Sequence, residues 1–199
     1  MPTKTLIFTF VARVIGWLVL MFLAWYTLTP VLNGLLAWVL SGLLTGLFPH
    51  LFAGVTLEGK ALDIATQLLW QQPGTPTSQP GLLSFSVNPL IYGYGLPFFL
   101  ALCLAVPEEQ EIKPLPIGVG LILLFLVQLW GVVFDSFKTL LFSFGPDIAA
   151  KVSTSPLAIT GVAYGYQLGT LILPVVVPVM LWLWIYQAYW QAWMVQDVE

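Results

Sequence analysis

From Leu157 to Met194 the chain carries no charged side chain, and from Leu6 to Leu28 only Arg13 interrupts an apolar run. A third run, Ile117 to Phe144, is broken only by Asp135 and Lys138. A hydrocarbon core about 30 Å thick is crossed by about 20 apolar residues of helix, so each run is long enough to span a bilayer. Of 199 residues 8% are charged and 59% hydrophobic, against roughly a quarter charged in an average soluble domain. Mean hydropathy is +0.93. The chain reads as an α-helical polytopic membrane protein of about four to five transmembrane helices.

The ends of the runs carry their own signals. Trp25 and Tyr26 close the first run (6–28) with residues suited to the headgroup level, and Lys4 precedes it. Its apolar stretch is too long for a cleaved signal peptide, which predicts a retained anchor with a cytoplasmic N-terminus. In the last run (157–194) Pro174 and Pro178 predict a kink, and Trp182, Trp184, Tyr186, Tyr189, Trp190 and Trp193 read as an interfacial girdle. A shorter span, 89–106, holds Gly93, Gly95 and Pro97 near its start and is expected to bend or partly unwind there. Residues 31–48 carry no charge, with Asn33, Gly34, Ala37, Ser41, Gly42 and Thr45 on one helical side and leucines on the other. Pro30 predicts a break before them, making them an interfacial or re-entrant helix, although they are also long enough for an additional span.

Between His50 and Asn88 the period changes. Leu62, Ile64, Thr66 and Leu68 alternate with Ala61, Asp63, Ala65 and Gln67, the period of a half-buried strand. Val55–Glu58 can pair with it through a turn at Gly59, and Leu83–Val87 supplies a third strand after the proline-rich loop Gln71–Gly81. Residues 50–88 thus form a small extramembrane β-element that needs the helices for support. Its lack of a Lys/Arg cluster fits an extracytoplasmic position. The lysine count favours the cytoplasmic face if 31–48 spans, so the side stays open.

Charge and ligand-type residues exclude several function classes. Six Lys/Arg against nine Asp/Glu leave a net charge of -3, with no basic surface for nucleic acid. One cysteine and one histidine cannot build a disulfide framework or the usual zinc sets, and no metal or cofactor site is expected. No phosphate loop, dinucleotide fingerprint, HExxH or GxSxG pattern occurs. Glu108, Glu109 and Glu111 lie in a Pro-bounded connection and read as a solvated loop.

Polar residues at membrane depth are functional candidates by default. Asp135 and Lys138 stand three apart on one helix face, where the plain reading is mutual neutralisation and the sharper one a contact to a partner helix or substrate. Arg13 can snorkel to the cytoplasmic face or pair within the bundle. Gln128 and Gln167 offer interhelical hydrogen bonds. Gly161, Gly165 and Gly169 repeat every four residues and predict close helix packing, within the chain or with a partner. Cys103 sits in FFLALCLAV, an apolar setting without a base, and reads as a packing residue; His50 reads as interfacial.

Three stretches, VNPLIYGYGLPFFLAL (Val87–Leu102), WGVVFDSFKTLLF (Trp130–Phe142) and AYGYQLGTLILPVVVPVMLW (Ala163–Trp182), resemble the exosortase H-associated membrane protein family. The resemblance implies a bacterial inner-membrane protein linked to an exosortase, an enzyme class whose chemistry depends on Cys, Arg and His. This chain has Cys103, Arg13 and His50 outside exosortase-like motif settings, which implies a non-catalytic accessory or scaffold in protein sorting. Its expected partners are the lipid bilayer and an exosortase-type membrane protein. The glycine face and the segment Tyr92, Gly93, Gly95 and Pro97 are the expected helix contacts. The rival readings are a membrane enzyme using Cys103 or the Asp135/Lys138 pair, and a small transporter or channel.

Overall fold

The computed structural model describes residues 3–71, 81–107 and 113–196. The elements are α1 (Thr3–Leu47), β1 (Phe52–Glu58), β2 (Ala61–Trp70), β3 (Gly81–Val87), α2 (Leu90–Gly93), α3 (Gly95–Ala105), α4 (Pro114–Phe142), α5 (Pro146–Val152), α6 (Pro156–Gln167), a π-helical turn (Leu168–Ile172), α7 (Leu173–Ile185) and α8 (Gln187–Gln196). Three helical stretches, Ile7–Leu47, Pro114–Phe142 and Pro156–Ile185, are long and apolar enough to cross a membrane, and Leu90–Ala105 is a shorter apolar helix. The fold is a polytopic helical membrane architecture with one small sheet. Most of the Gln71–Gly81 loop, and Glu108, Glu109 and Glu111, lie outside the described residues.

One expectation about helix limits is corrected. α1 runs through Pro30 without ending, so the break expected before residues 31–48 does not occur, and residues 31–47 continue one helix of 45 residues. Proline removes a single ladder bond, and a long apolar helix tolerates that loss where neighbouring groups compensate. The last run, where a kink is expected, is irregular at several points. A π-turn precedes Pro174, α7 holds Pro178, and the helix stops at Tyr186 before α8 begins. Prolines and π-turns are the ordinary causes of such irregularity. In the span 89–106, the interruption falls at Tyr94, between α2 and α3.

The chain forms two compact units. The first comprises the described residues of 1–28, 93–127 and 171–199. Its core is Phe99, Leu102, Cys103, Leu124, Trp182, Ile185 and Tyr186. Gly95 allows α3 to meet α7 closely, since a Cβ there would stand 2.9 Å from the Pro174 carbonyl oxygen, and Gly120 faces the Phe99 ring. Phe10 stacks on Trp182 at 5.3 Å. Trp182 in α7 and Tyr186 just after it, read from sequence as part of an aromatic girdle, are instead buried core residues, while Trp184 is exposed. Lys113 Nζ donates to the Ile185 carbonyl at 2.8 Å, a cation placed on the carbonyl end of α7.

The second unit comprises the described residues of 29–92 and 128–170. Its antiparallel sheet has the order β1-β2-β3, with β1 and β2 joined by a turn at Gly59, whose φ of +63° favours glycine. Leu62, Ile64, Thr66, Leu68, Leu83, Phe85 and Val87 form the buried face. The β2–β3 register shifts between Ala65 and Leu69. There the Thr66 hydroxyl donates to the Leu83 carbonyl at 2.7 Å and accepts from the Leu68 amide at 3.2 Å, replacing ladder bonds that the irregularity disturbs. Asn33 on α1 donates to the Lys60 carbonyl at 3.0 Å, and Ser41 Oγ accepts from the Val55 amide at 3.2 Å. The small polar side of α1 is therefore its seat for the hairpin. Phe48 and Phe52 pack edge-on against Phe137 of α4, and Trp70 and Phe85 against Phe144 just beyond it.

Candidate functional site

Three elements of the second unit converge on α4, whose Gly131, Phe134, Asp135 and Lys138 share one helical face at spacings of three and four. The contact depends on missing side chains. A Cβ on Gly131 would overlap the Tyr92 ring, one on Gly165 would overlap the Phe134 ring, and one on Gly169 would stand 3.0 Å from the Gly131 Cα. Trp130 stacks on Phe134 at 4.5 Å and donates its indole N–H to the Gly165 carbonyl at 3.0 Å. Close backbone approach is the general use of small residues between membrane helices.

The packing places a polar cluster against α4. Lys138 Nζ lies 3.1 Å from Asp135 Oδ1, with Asp135 only 13% exposed and Lys138 32%. The ammonium also stands 4.4 Å from the centre of the Tyr166 ring, a cation–π contact. The buried Tyr92 side chain lies beside Asp135 and Thr170. Thr170 Oγ1 itself donates to the Tyr166 carbonyl at 2.8 Å, within the stretch that leads into the π-turn. Asp135 thus receives an ammonium, which offsets the penalty that burial would otherwise place on its carboxylate. Charge balance is closed inside the cluster. It can fix three helical segments in register, and it holds no activated nucleophile.

The expected site residues divide between this cluster and other settings. Tyr92, named from sequence as a helix contact, has its ring against Gly131 of α4. Gly165 and Gly169 face α4 of the same chain, while Gly161 is exposed with open space beside it. Gly93, Gly95 and Pro97 are buried in α2 and α3. Gln128 is buried and donates to the Pro89 carbonyl at 3.2 Å, Gln167 is exposed, and Arg13 is exposed. Cys103 is 6% exposed within its apolar core, and His50 is exposed in the turn before β1. Among the described residues no group of three His, Cys, Asp or Glu side chains is arranged to hold a metal ion.

Tyr166, Thr170, Trp130, Gly131 and Phe134 were not singled out by the sequence reading. The signal was present in their spacing: Gly131, Asp135 and Lys138 repeat at helical intervals, as do Tyr166 and Thr170.

A family model described as exosortase H-associated membrane protein matches residues 4–189. No curated protein and no solved structure matches the chain.

Proposed function

Because the chain belongs to the family of exosortase H-associated membrane proteins, we propose that it is a non-catalytic accessory or scaffold of an exosortase-type protein-sorting system. It acts in the bacterial cytoplasmic membrane with its N-terminus in the cytoplasm. The observation that carries the reading is the setting of Cys103, whose buried neighbours are Phe99, Leu102, Leu124, Trp182, Ile185 and Tyr186. A sorting transpeptidase needs an accessible thiolate next to a base, and this cysteine is packed as an apolar side chain.

Purification of the tagged protein in mild detergent from its native membrane tests the partner. Stoichiometric recovery of an exosortase-like membrane protein is the expected result. Recovery of the chain alone, with that partner detectable in the extract, overturns the proposal. Cys103→Ala is expected to leave processing of sorted proteins intact, and its loss in a folded, inserted variant favours the enzyme.

A second reading, a membrane enzyme using Asp135 and Lys138, draws on the placement of a carboxylate and the Tyr166 ring around one ammonium. It predicts that Lys138→Met abolishes processing while the protein remains inserted. The scaffold reading predicts processing in proportion to the amount of folded protein.

A further inference from the structure

Among the described side chains of the first unit, two are cations, Arg13 and Lys113, and none is a carboxylate. Lys113 is engaged: its Nζ donates to the Ile185 carbonyl and stands 5.7 Å from the centre of the Tyr186 ring. Arg13 is not. It is exposed on α1 and, among the described residues, makes no hydrogen bond or ion pair. A guanidinium keeps its proton, so on an apolar helix it has to find an anion or reach the membrane surface.

The first unit fixes its level. Phe10, just under one turn before Arg13, stacks on Trp182, and Trp182 lies in the last turn of α7, whose end carries the Lys113 ammonium. The Arg13 Cα is about 15 Å along α1 from Thr3, and helical side chains lean toward the helix N-terminus, so the guanidinium leans toward this nearer end. In the other direction the same side of α1 is apolar. Gly16 comes first, where a Cβ would meet nothing within 4 Å, and Leu20 and Leu23, both exposed, follow it.

We propose that Arg13 anchors a phospholipid site on α1, its guanidinium binding the headgroup phosphate of an anionic phospholipid whose acyl chain lies along Gly16, Leu20 and Leu23. Phosphates come with the bilayer in which the helices are embedded, at the level where α7 ends. The planar fork of arginine matches two phosphate oxygens at once. A headgroup of net negative charge is also drawn to a unit whose described side chains carry positive charge only, whereas the ammonium of a zwitterionic headgroup finds no described carboxylate there.

Native mass spectrometry of the intact chain released from mild detergent, with phosphatidylglycerol or phosphatidylcholine of matched acyl chains added, tests the site. The parent is expected to retain one phosphatidylglycerol and much less phosphatidylcholine. Arg13→Gln is expected to lower retention of phosphatidylglycerol about tenfold, the loss of one charge-assisted contact, and Arg13→Lys, which keeps the charge without the fork, by less. Lys151→Gln removes the same charge from an exposed position of α5 in the second unit and is expected to retain the lipid. Equal losses in Arg13→Gln and Lys151→Gln report net charge alone and overturn the proposal, as does equal retention of the two lipids by the parent. Thermal unfolding in detergent is the second measurement: phosphatidylglycerol is expected to raise the midpoint of the parent and not that of Arg13→Gln, whose midpoint without lipid matches the parent's. An equal rise in both overturns the inference. So does an Arg13→Gln variant that keeps the lipid and loses a co-purifying protein, which assigns the arginine to a carboxylate on another helix.

Discussion

The Tyr92 ring occupies the space in which a side chain on Gly131 would stand, one turn of α4 before Asp135. One glycine therefore sets where the ring packs on α4. Gly131→Ala is expected to displace the ring and destabilise the protein by about 1–3 kcal/mol, the usual range for overpacking. Gly165→Leu should lower stability further by striking Phe134 within the same chain, with or without a partner. Gly161→Ala, made where space is open, is expected to be neutral or slightly stabilising. Thermal unfolding in detergent separates the three.

Asp135→Leu strands the Lys138 ammonium against the Tyr166 ring. Breaking a buried pair from one side costs about 3–5 kcal/mol, and the exposure of Lys138 reduces that to about 1–3 kcal/mol here. Replacing both residues with leucine should be milder than Asp135→Leu alone. A double-mutant cycle on unfolding midpoints checks the order, and additive single losses would show that the pair is uncoupled.

Cys103 is expected to resist aqueous maleimide while the protein is folded and to react fully after denaturation. Mass spectrometry of the intact chain reads the difference. Rapid labelling of folded protein would place the thiol on an open path and restore the cysteine to mechanistic interest.

The seat of the hairpin on α1 rests on two polar side chains. Asn33→Ala and Ser41→Ala each remove one hydrogen bond, to the Lys60 carbonyl and from the Val55 amide. Each is expected to cost about 1–2 kcal/mol and to raise amide exchange in β1 and β2 before it does so in β3. Hydrogen exchange by mass spectrometry, peptide by peptide, would show the opposite order if the hairpin were held mainly through β3.

The strands were legible because their signal is local. Leu62, Ile64, Thr66 and Leu68 alternate in the sequence and share the buried face of the sheet. The long apolar helices were legible for the same reason. The cost of proline in a helix interior predicted a break at Pro30, and α1 continues through it all the same. The aromatic residues of the last run show another limit. Trp182 and Trp184 are two apart and of one type, yet only Trp182 turns toward Phe10 and Cys103. Composition locates aromatic residues without assigning them to core or lipid. The polar cluster was half visible: Asp135 and Lys138 stand three apart in sequence, whereas Tyr92 and Tyr166 reach them through tertiary contacts that no single segment records.

α1 also bears on the order of events during synthesis. Its helical backbone hydrogen bonds are between neighbours in sequence, so it can form as soon as it leaves the ribosome, in far less time than the next twenty residues take to appear at about 5–20 residues per second. Asn33 and Ser41 then wait only for the hairpin around Gly59, but Phe48 and Phe52 wait for Phe137, which is translated much later. Until α4 arrives, the nascent chain carries a docked hairpin with two uncovered phenylalanines, and chaperone or insertase contact is most needed over that interval.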